Sequence, residues 1–335
     1  MNMNLNLPAL RGYTPLGFLA ALGLLRVLSE ERGHDEAALS WDPDTESAVL
    51  HGPWQSVEDV AAELQAVVDG IPADGVLPGC PVEFPPARKG SGGDPALPPA
   101  RDFQAVYGDW FTAEVSKWWE AYTVQPVGFD GDKTAPRTPF MAPIGRQSVR
   151  SFFAAPLAAV REHPGALVEA LTGWHRYRGV TGEQLDHEAH ASDTGVEGVP
   201  GATWLATMAL PLFACVQPRR GDWTPSATLW CWTGRERLMT WPLWRPPLDR
   251  WAVKVLIEDS ALGTLDEAPY GIDTRNAETY RSGKLAAMGV FALHAAERAK
   301  PTPLFRGGGV LYPASPPDWM IRRVFGDSSV SGARQ

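Results

Sequence analysis

The clearest alternation of apolar and polar positions lies at the N-terminus and runs into the longest apolar stretch of the chain. Residues 4–10, NLNLPAL, alternate as a strand does. Within 16–28 the only charged residue is Arg26, and Thr14 followed by Pro15 suits the cap and first position of a helix. A helix that is apolar on every face is buried in a water-soluble protein. The pattern therefore predicts a strand, a turn and a buried helix.

This apolar stretch suits neither a membrane anchor nor a signal peptide. It is shorter than the roughly 18 to 20 residues that cross a bilayer. No Lys or Arg precedes Arg11, and the sequence at its end, RVLSEERGHDE, offers no small-residue cleavage site.

Cys80, Cys215 and Cys231 are widely spaced and form no C-x-x-C pair, so neither a disulfide framework nor a zinc ribbon is expected. We expect a cytoplasmic protein.

The rest of the pattern predicts helices and strands without regular βαβ alternation. Helices are expected at 55–69 with Ser56 as cap, 102–122, 148–163 with Ser148 as cap, 164–174, 201–216 with a break at Pro211, 246–259 and, for the most part, 276–299. Strands are expected around a D-P-D turn in 39–50, as a hairpin of 226–233 and 235–244, and at 307–313, whereas 175–200 is expected to be a loop. This order predicts a helix-rich α+β fold with a short mixed or antiparallel sheet and irregular Pro/Gly-rich loops.

Composition divides the chain into segments of different character. Residues 1–70 form an acidic strand–helix region, and 71–101 form a Pro/Gly-rich loop or linker. Residues 102–325 form the main α+β domain, and 326–335 form a frayed tail.

Charge is distributed unevenly over these segments. The net charge is −9, and residues 1–70 carry eleven acids against three bases, a net of −8. Two later stretches are basic, with seven Lys/Arg against three acids in 131–180 and six against two in 274–306. An acidic protein is a poor free-standing DNA binder. It can still contact phosphate locally, within a larger complex.

The basic stretches contain the candidate nucleic-acid-binding residues. Three arginines surround prolines and the N-terminus of the helix predicted from Ser148, where free backbone N–H groups bind anions. Arg, Lys, Gly and aromatic residues together suit contacts to phosphates and bases. The alternative interpretation is that these basic residues form salt bridges on the protein surface. The candidates are Arg137, Arg146, Arg150, Arg281, Lys284 and Arg306, and we expect Arg146, Arg150, Arg281 and Lys284 to converge on one face.

Aromatic residues leave two interpretations open. The chain has 14 tryptophans, and six of them lie between Trp223 and Trp251. A packed aromatic core is the first interpretation. The second is an exposed surface, either a stacking platform for bases or a protein–protein interface.

A His/Asp/Glu segment is the best candidate for metal binding. The segment DHEAHASD, 186–193, contains His187, His190 and Asp193, and imidazole and carboxylate suit divalent metals. The glycines that follow favour a solvated acidic loop instead. GFDGDKT, 128–134, fails as a phosphate loop because Asp132 precedes the lysine, and no G-x-S-x-G motif occurs. We therefore expect no enzyme activity and no cofactor.

Several segments together resemble a known protein family. GYTPLGFLAALGLLRVLSE, TPFMAPIGRQSV, GATWLATMALPLF, TWPLWRPPL and TYRSGKL occur in this order. They resemble the segments G-x-N-P-L-x-F-L-A-A-L-G-x-L-R, [ST]-G-[QR]-Q, G-A-N-x-L-A-x-x-x-L-P-L-F, W-P-[LI]-W and Y-R-S-x-[RK] of small accessory proteins encoded in type I-G (formerly I-U) CRISPR loci. Thr14 and Thr203 stand where that family has Asn, and DHEAHASD replaces its S-L-R-W-D-P stretch.

The resemblance implies a role in antiviral defence, beside the crRNA-guided complex or its helicase-nuclease, without established catalysis. It implies a non-catalytic accessory or effector subunit whose partners are other Cas proteins and crRNA or DNA, and no membrane. Two alternatives remain open from the residues themselves. One is a metal-dependent hydrolase or nuclease that uses 186–193, and the other is a protein–protein scaffold with a tryptophan-rich interface.

Overall fold

The computed structural model describes residues 3–85, 108, 112–122, 138–141, 148–179, 185–186, 197–216, 226–233, 236–262, 282–298 and 310–326. The α-helices are α1 Pro15–Arg26, α2 Val57–Gly70, α3 Ala113–Tyr122, α4 Val149–Glu162, α5 Ala166–Thr172, α6 Pro200–Met208, α7 Arg250–Ile257, α8 Lys284–Ala287 and α9 Asp318–Phe325. The strands are β1 Met3–Arg11, β2 Ala38–Trp41, β3 Ser47–Gly52, β4 Tyr177–Arg178, β5 Glu197–Gly198, β6 Cys215–Val216, β7 Ser226–Ala227, β8 Trp230–Thr233, β9 Glu236–Trp244, β10 Leu248–Asp249, β11 Val290–Arg298 and β12 Leu311–Ala314. The fold is α+β, as the sequence predicts.

The N-terminal strand and buried helix are confirmed. The N–H of Gly17 donates to Thr14 Oγ1 at 3.1 Å, which caps α1, and Pro15 occupies the first turn. Every residue of α1 is buried, because apolar side chains surround the helix on all faces. The helix continues as a π-helix over Val27–Glu31. None of the helices in the described ranges is long and apolar enough to cross a membrane.

A first antiparallel sheet has the strand order β1-β3-β2-β10. Asp42 closes the turn between β2 and β3, since its carboxylate accepts the N–H groups of Asp44 and Thr45 at 3.0 and 2.8 Å. This confirms the two strands around a D-P-D turn. Strand β10 pairs Leu248 with Leu39, so the later chain completes a sheet begun by the N-terminal region.

Helix α1 packs against α6 at a very short separation. A Cβ on Gly23 would lie 1.7 Å from the carbonyl oxygen of Leu205. Glycine permits such an approach because it has no side chain. Among the described residues, one cluster of buried side chains has members from Leu7 to Val324. Residues 1–70 therefore share one core with the segments that follow.

A second antiparallel sheet has the order β12-β11-β9-β8 and confirms the predicted hairpin and late strand. The prediction of helix over most of 276–299 is wrong for the described part, where only α8 is helical and β11 is a strand. The sequence VFALHAAER is rich in helix formers, but β11 hydrogen-bonds to β9 on one side and β12 on the other. Pairing on both edges overrides local propensity.

The other predicted helices are present where the structure describes them, but two of them are shorter than predicted. Cys215–Val216, the end of the predicted helix 201–216, form β6, and Leu248–Asp249, near the start of the predicted helix 246–259, form β10, because both segments pair with another strand. Helices α2 and α4 begin with capping boxes at Ser56 and Ser148, and α6 gives way to a 3-10 turn, Leu210–Leu212, around Pro211. The predicted loop 175–200 contains the two-residue pair β4–β5. Outside the described residues lie 86–101 of the predicted linker, most of 102–111 and the tail beyond 326.

The tryptophans between 223 and 251 divide between the interior and the surface. Trp241 and Trp244 are buried, and their indole N–H groups donate to the carbonyls of Gly12 (2.7 Å) and Leu39 (2.8 Å). Trp251 is 62% exposed. Trp230 is buried as well, so three of the described tryptophans in this range are part of the core and Trp251 lies on an outer face.

Candidate functional site

A cluster of buried and half-buried charges lies where α1 becomes a π-helix. Glu30 Oε2 is 2.8 Å from Arg26 Nη1 and 3.1 Å from Lys117 Nζ. Glu31 Oε1 is 3.0 Å from Arg26 Nη1 and 3.3 Å from Lys117 Nζ. Arg250 Nη1 pairs with the second oxygen of Glu30. These residues are called the Arg26 cluster: Arg26, Glu30, Glu31, Lys117 and Arg250.

Local backbone geometry explains how two consecutive carboxylates reach one guanidinium. Glu30 follows Arg26 by four residues, which places both on one helical face. The π-turn has an i to i+5 repeat and so brings Glu31 to the same side. The Nε of Arg26 donates to the carbonyl of Met208 at the end of α6, and its guanidinium lies 5.0 Å from the centre of the Trp118 ring. The cluster thus connects α1, α3, α6 and α7.

The electrostatics of the cluster favour ionised carboxylates. Burial alone raises the pKa of Glu30, but the charges of Arg26 and Lys117, together with hydrogen bonds from Arg250 and Lys117, lower it to about 2. Three cations face two carboxylates, so each carboxylate has at least two cationic partners. A buried charge is tolerated in a protein when it is paired and hydrogen-bonded in this way.

We expect the Arg26 cluster to make stability depend on acid pH. The folded-state pKa of Glu30 lies below the roughly 4.3 of an unfolded chain. Ionised Glu30 therefore stabilises the protein above about pH 4, and this contribution, on the order of 2 kcal/mol, is lost as the pH falls towards about 2. Urea unfolding at a series of pH values would show the loss in the native protein and a shallower slope in Glu30→Gln. Glu58→Gln, on the first turn of α2, is the control and should keep the native slope.

The cluster is suited to holding helices together rather than to nucleophilic chemistry. Burial is the main reason that the pKa of the Cys80 thiol is raised to about 12. The nearby charge of Lys117 lowers this pKa and that of Glu31 raises it. A thiol with such a pKa is not a nucleophile at neutral pH. The signal for this cluster is present in the sequence, because Arg26 is the only charge in its apolar stretch and is followed by two acids at four and five residues. This cluster is nevertheless not among the sites predicted from the sequence.

Arg150, one of the predicted phosphate contacts, bonds to backbone carbonyls. Its Nη1 donates to the carbonyls of Val82 (2.9 Å), Pro85 (3.1 Å) and Phe84 (3.5 Å). Its Nη2 donates to the carbonyl of Asp74. The guanidinium therefore holds segment 74–85 against α4. A phosphate that binds Arg150 would have to share the guanidinium with these carbonyls or displace them.

Lys284 is the other predicted contact that the structure describes. It begins the short helix α8, after Gly283 in the left-handed region at φ 78°. Its Nζ lies 2.6 Å from Asp259 Oδ2, and its side chain is 54% exposed. Asp259 is only 14% exposed, so a phosphate that binds Lys284 would have to compete with this half-buried carboxylate.

The other basic candidates lie outside the described residues. These are Arg137, Arg146, Arg281 and Arg306. The expected convergence of Arg146, Arg150, Arg281 and Lys284 on one face therefore stays a prediction.

The predicted metal-binding segment is described only at its first residue. Asp186 is buried, and its carboxylate oxygens lie 2.5 and 3.3 Å from the guanidinium nitrogens of Arg176. His187, His190 and Asp193 lie outside the described residues. Within the ranges that the structure describes, no group of three or more His, Cys, Asp and Glu side chains is arranged to hold a metal ion. Asp186 would have to leave a buried ion pair in order to bind one.

A histidine–glutamate pair joins the two sheets. His294 Nε2 on β11 lies 3.0 Å from Glu46 Oε2 in the β2–β3 turn. Burial lowers the pKa of His294, although the charge of Glu46 and its hydrogen bond act in the opposite direction. Glu46 has φ 54°, a left-handed conformation that is uncommon for a residue other than glycine. This pair is a second polar contact between the sheets, beside the indole bond from Trp244 to Leu39.

No family model matches this chain, and no curated protein sequence matches it.

Proposed function

We propose that the protein is a non-catalytic accessory or effector subunit of a type I-G-like CRISPR–Cas system. In this proposal it acts in the cytoplasm in antiviral defence and contacts crRNA or target DNA phosphates, or other Cas subunits. One observation carries the proposal: three of the five segments that resemble the family, although distant in sequence, meet in the core.

The contacts between these segments are specific. Arg26, the last residue of the A-L-G-L-L-R motif, bonds to the carbonyl of Met208 in the GATWLATM segment. Gly23 of the first motif lies directly against Leu205 of the second. Trp241 of the TWPLW segment donates to the carbonyl of Gly12, where the first motif begins. A set of motifs that pack on one another is expected when they describe one fold, and this supports the resemblance.

The two departures from the family pattern differ in their consequences. Thr14 accepts the N–H of Gly17 as a helix cap, a role that Asn and Thr both perform. Thr203 is buried in α6, and its hydroxyl has no hydrogen-bond partner among the residues that the structure describes. The first departure keeps the chemistry of the motif, whereas the second loses the hydrogen bonds that an amide could make.

These packed motifs do not themselves provide a binding surface, because they are buried. Contact with nucleic acid is therefore proposed for the basic candidates. Lys284 belongs to the TYRSGKL segment and is more than half exposed. Arg281 of the same segment, and Arg146, are the other candidates that the proposal depends on.

We expect Arg146→Glu and Arg281→Glu each to weaken association of the protein with crRNA or DNA in the reconstituted complex. Each lost phosphate contact should lower the slope of log affinity against log salt by about one, without changing sequence preference. Arg178→Glu is the matched control, since its side chain is 71% exposed and pairs only loosely with Glu197 at 3.5 Å. Unchanged affinity and slope in both test variants would remove the nucleic-acid proposal.

A protein–protein scaffold is the second candidate function. The observation that favours it is the exposure of Trp251 and Val255 on one face of α7. Scaffolding would leave salt-dependent binding of nucleic acid unaffected by either arginine variant, so the same titration distinguishes the two functions.

A further inference from the structure

The described end of the TYRSGKL segment packs against the C-terminal end of α9. Ser282 Oγ donates to the carbonyl of Arg322 at 3.1 Å, and the N–H of Gly283 donates to the carbonyl of Arg323 at 3.0 Å. Lys284, the first residue of α8, follows directly. The last turn of α9, which carries two arginines, is therefore next to a lysine that is already a candidate phosphate contact.

These hydrogen bonds also show that the two arginines are not needed to cap α9. Basic side chains near the end of a helix can hydrogen-bond its last carbonyl groups. Here the carbonyl of Arg322 accepts from Ser282 Oγ and from the N–H of Gly326, and the carbonyl of Arg323 accepts from the N–H of Gly283. Backbone and serine groups thus fill the capping role at both carbonyls.

The side chain of Arg322 lies on the outer side of α9. Met320 and Val324 are the buried residues of this helix, and a residue midway between them lies on the opposite side. Arg322 is exposed, and its guanidinium has no hydrogen bond or ion pair with any residue that the structure describes, Asp318 one turn earlier included. In contrast to Arg150, it would bind an anion without giving up a contact within the described chain.

Arg323 is positioned by an aromatic ring. Trp319 lies one turn earlier on the same side of α9, and the guanidinium carbon of Arg323 is 5.1 Å from the centre of its ring. This contact restricts the orientation of the guanidinium, and a pre-organised side chain binds a partner at a lower entropic cost than a mobile one. Arginines beside aromatic rings are typical of surfaces that bind single-stranded nucleic acid.

Positive charge predominates here, although the whole chain carries a net charge of −9. Residues 282–288 and 318–326 contain three cations and one carboxylate. The carboxylate, Asp318, is in the first turn of α9, where it complements the helix dipole. Even with Asp259, the partner of Lys284, cations outnumber acids. The three cations are called the α9 corner: Lys284, Arg322 and Arg323.

We propose that the α9 corner binds the phosphate backbone of nucleic acid, with Arg322 as its principal contact. Several like charges beside an aromatic ring suit a strand of successive phosphates and bases better than a single carboxylate. Arg322 comes first because a phosphate at Lys284 has to compete with Asp259, whereas Arg322 has no such competitor among the described residues. The inference rests on the proposed function, which supplies crRNA or DNA as the anion, and adds two arginines to its contacts.

A salt titration of the reconstituted complex with fluorescently labelled crRNA tests the proposal. Arg322→Gln should lower the slope of log affinity against log salt by about one, and Arg322→Gln combined with Lys284→Gln should lower it by about two. Arg322→Lys keeps the charge and should keep the slope. Arg178→Gln is the matched control, because it removes the same charge from a side chain that is 71% exposed on β4, and it should leave the slope unchanged.

Circular dichroism and urea unfolding show whether each variant is folded. A second variant, Arg322→Glu, should weaken association more than Arg322→Gln does, because a carboxylate repels the phosphate that the guanidinium binds. An equal loss of slope in Arg178→Gln and Arg322→Gln would mean that only net charge matters, and would overturn the proposal.

The outcomes separate this proposal from the proposed function. If Arg146→Glu and Arg281→Glu weaken association but the Arg322 variants do not, the α9 corner is not a phosphate contact, whereas the proposed function stands. If the native protein contributes nothing to binding of crRNA or DNA in the complex, both fail. If the Arg322 variants keep the salt slope but lose binding to another subunit, the corner binds an acidic protein surface and the proposal is overturned.

Discussion

Replacing Arg26 by methionine is expected to lower the free energy of unfolding by about 3 kcal/mol or more. The guanidinium is fully buried, bonds to the carbonyl of Met208 and faces Glu30 and Glu31. Methionine fills similar space, so the loss reflects the Met208 carbonyl left without this donor and the two carboxylates left with only Lys117 and Arg250 as partners. Urea unfolding at neutral pH measures the change.

A second substitution tests whether the carboxylate that loses most of its pairing is the cause. Without Arg26, Glu31 keeps only Lys117 as a partner, so Arg26→Met combined with Glu31→Gln should be more stable than Arg26→Met alone by about 1 kcal/mol. Arg32→Met is the control, because Arg32 forms an exposed pair with Glu63 and exposed pairs contribute little. If Arg26→Met destabilises the protein no more than Arg32→Met, the Arg26 cluster does not hold these helices together.

Features of the fold that depend on interactions within a few residues were predicted correctly from the sequence. Thr14, Ser56 and Ser148 all cap the helices that the sequence predicts, because a cap acts within one turn. The turn at Asp42 follows from the same local chemistry. These features concern side chains and backbone groups within a few residues of each other.

Strand β11 shows where sequence interpretation fails. Its residues favour a helix locally, and only pairing with β9 and β12 makes them a strand. Those partners lie roughly fifty residues before it and a dozen after it, so no window of sequence contains the interaction. Strand β10 joins β2 for the same kind of reason. Long-range pairing of this kind is not encoded in local periodicity.

The candidate site was predictable only in part. The basic residues stand out by composition, but the sequence does not show that Arg150 is already bonded to the carbonyls of Val82 and Pro85. Lys117 and Arg250 join Glu30 from helices distant in sequence, and no spacing in the chain indicates that they meet. Exposure of Trp251 also depends on how α7 is oriented on the core.

Gly23→Ala is expected to destabilise the protein by about 3 kcal/mol or more, although alanine is the better helix former. In an isolated helix the substitution would be favourable by about 1 kcal/mol. Here the new Cβ would lie 1.7 Å from the carbonyl oxygen of Leu205 and 2.6 Å from its carbon. Both atoms belong to the backbone of α6 and cannot rotate away, so the two helices must separate and lose packing along their length.

The effect of Gly70→Ala on stability is expected to be the opposite, and this variant is the matched control. Gly70 ends α2, and no atom lies within 4 Å of a Cβ placed on it. The same substitution should therefore leave stability unchanged or raise it by up to about 1 kcal/mol. Thermal and urea unfolding of both variants show directly whether each substitution lowers or raises the free energy of unfolding. A Gly23→Ala variant as stable as the native protein would mean that α1 and α6 are not in close contact, and the packing of family-like motifs that supports the proposed function would lose its basis.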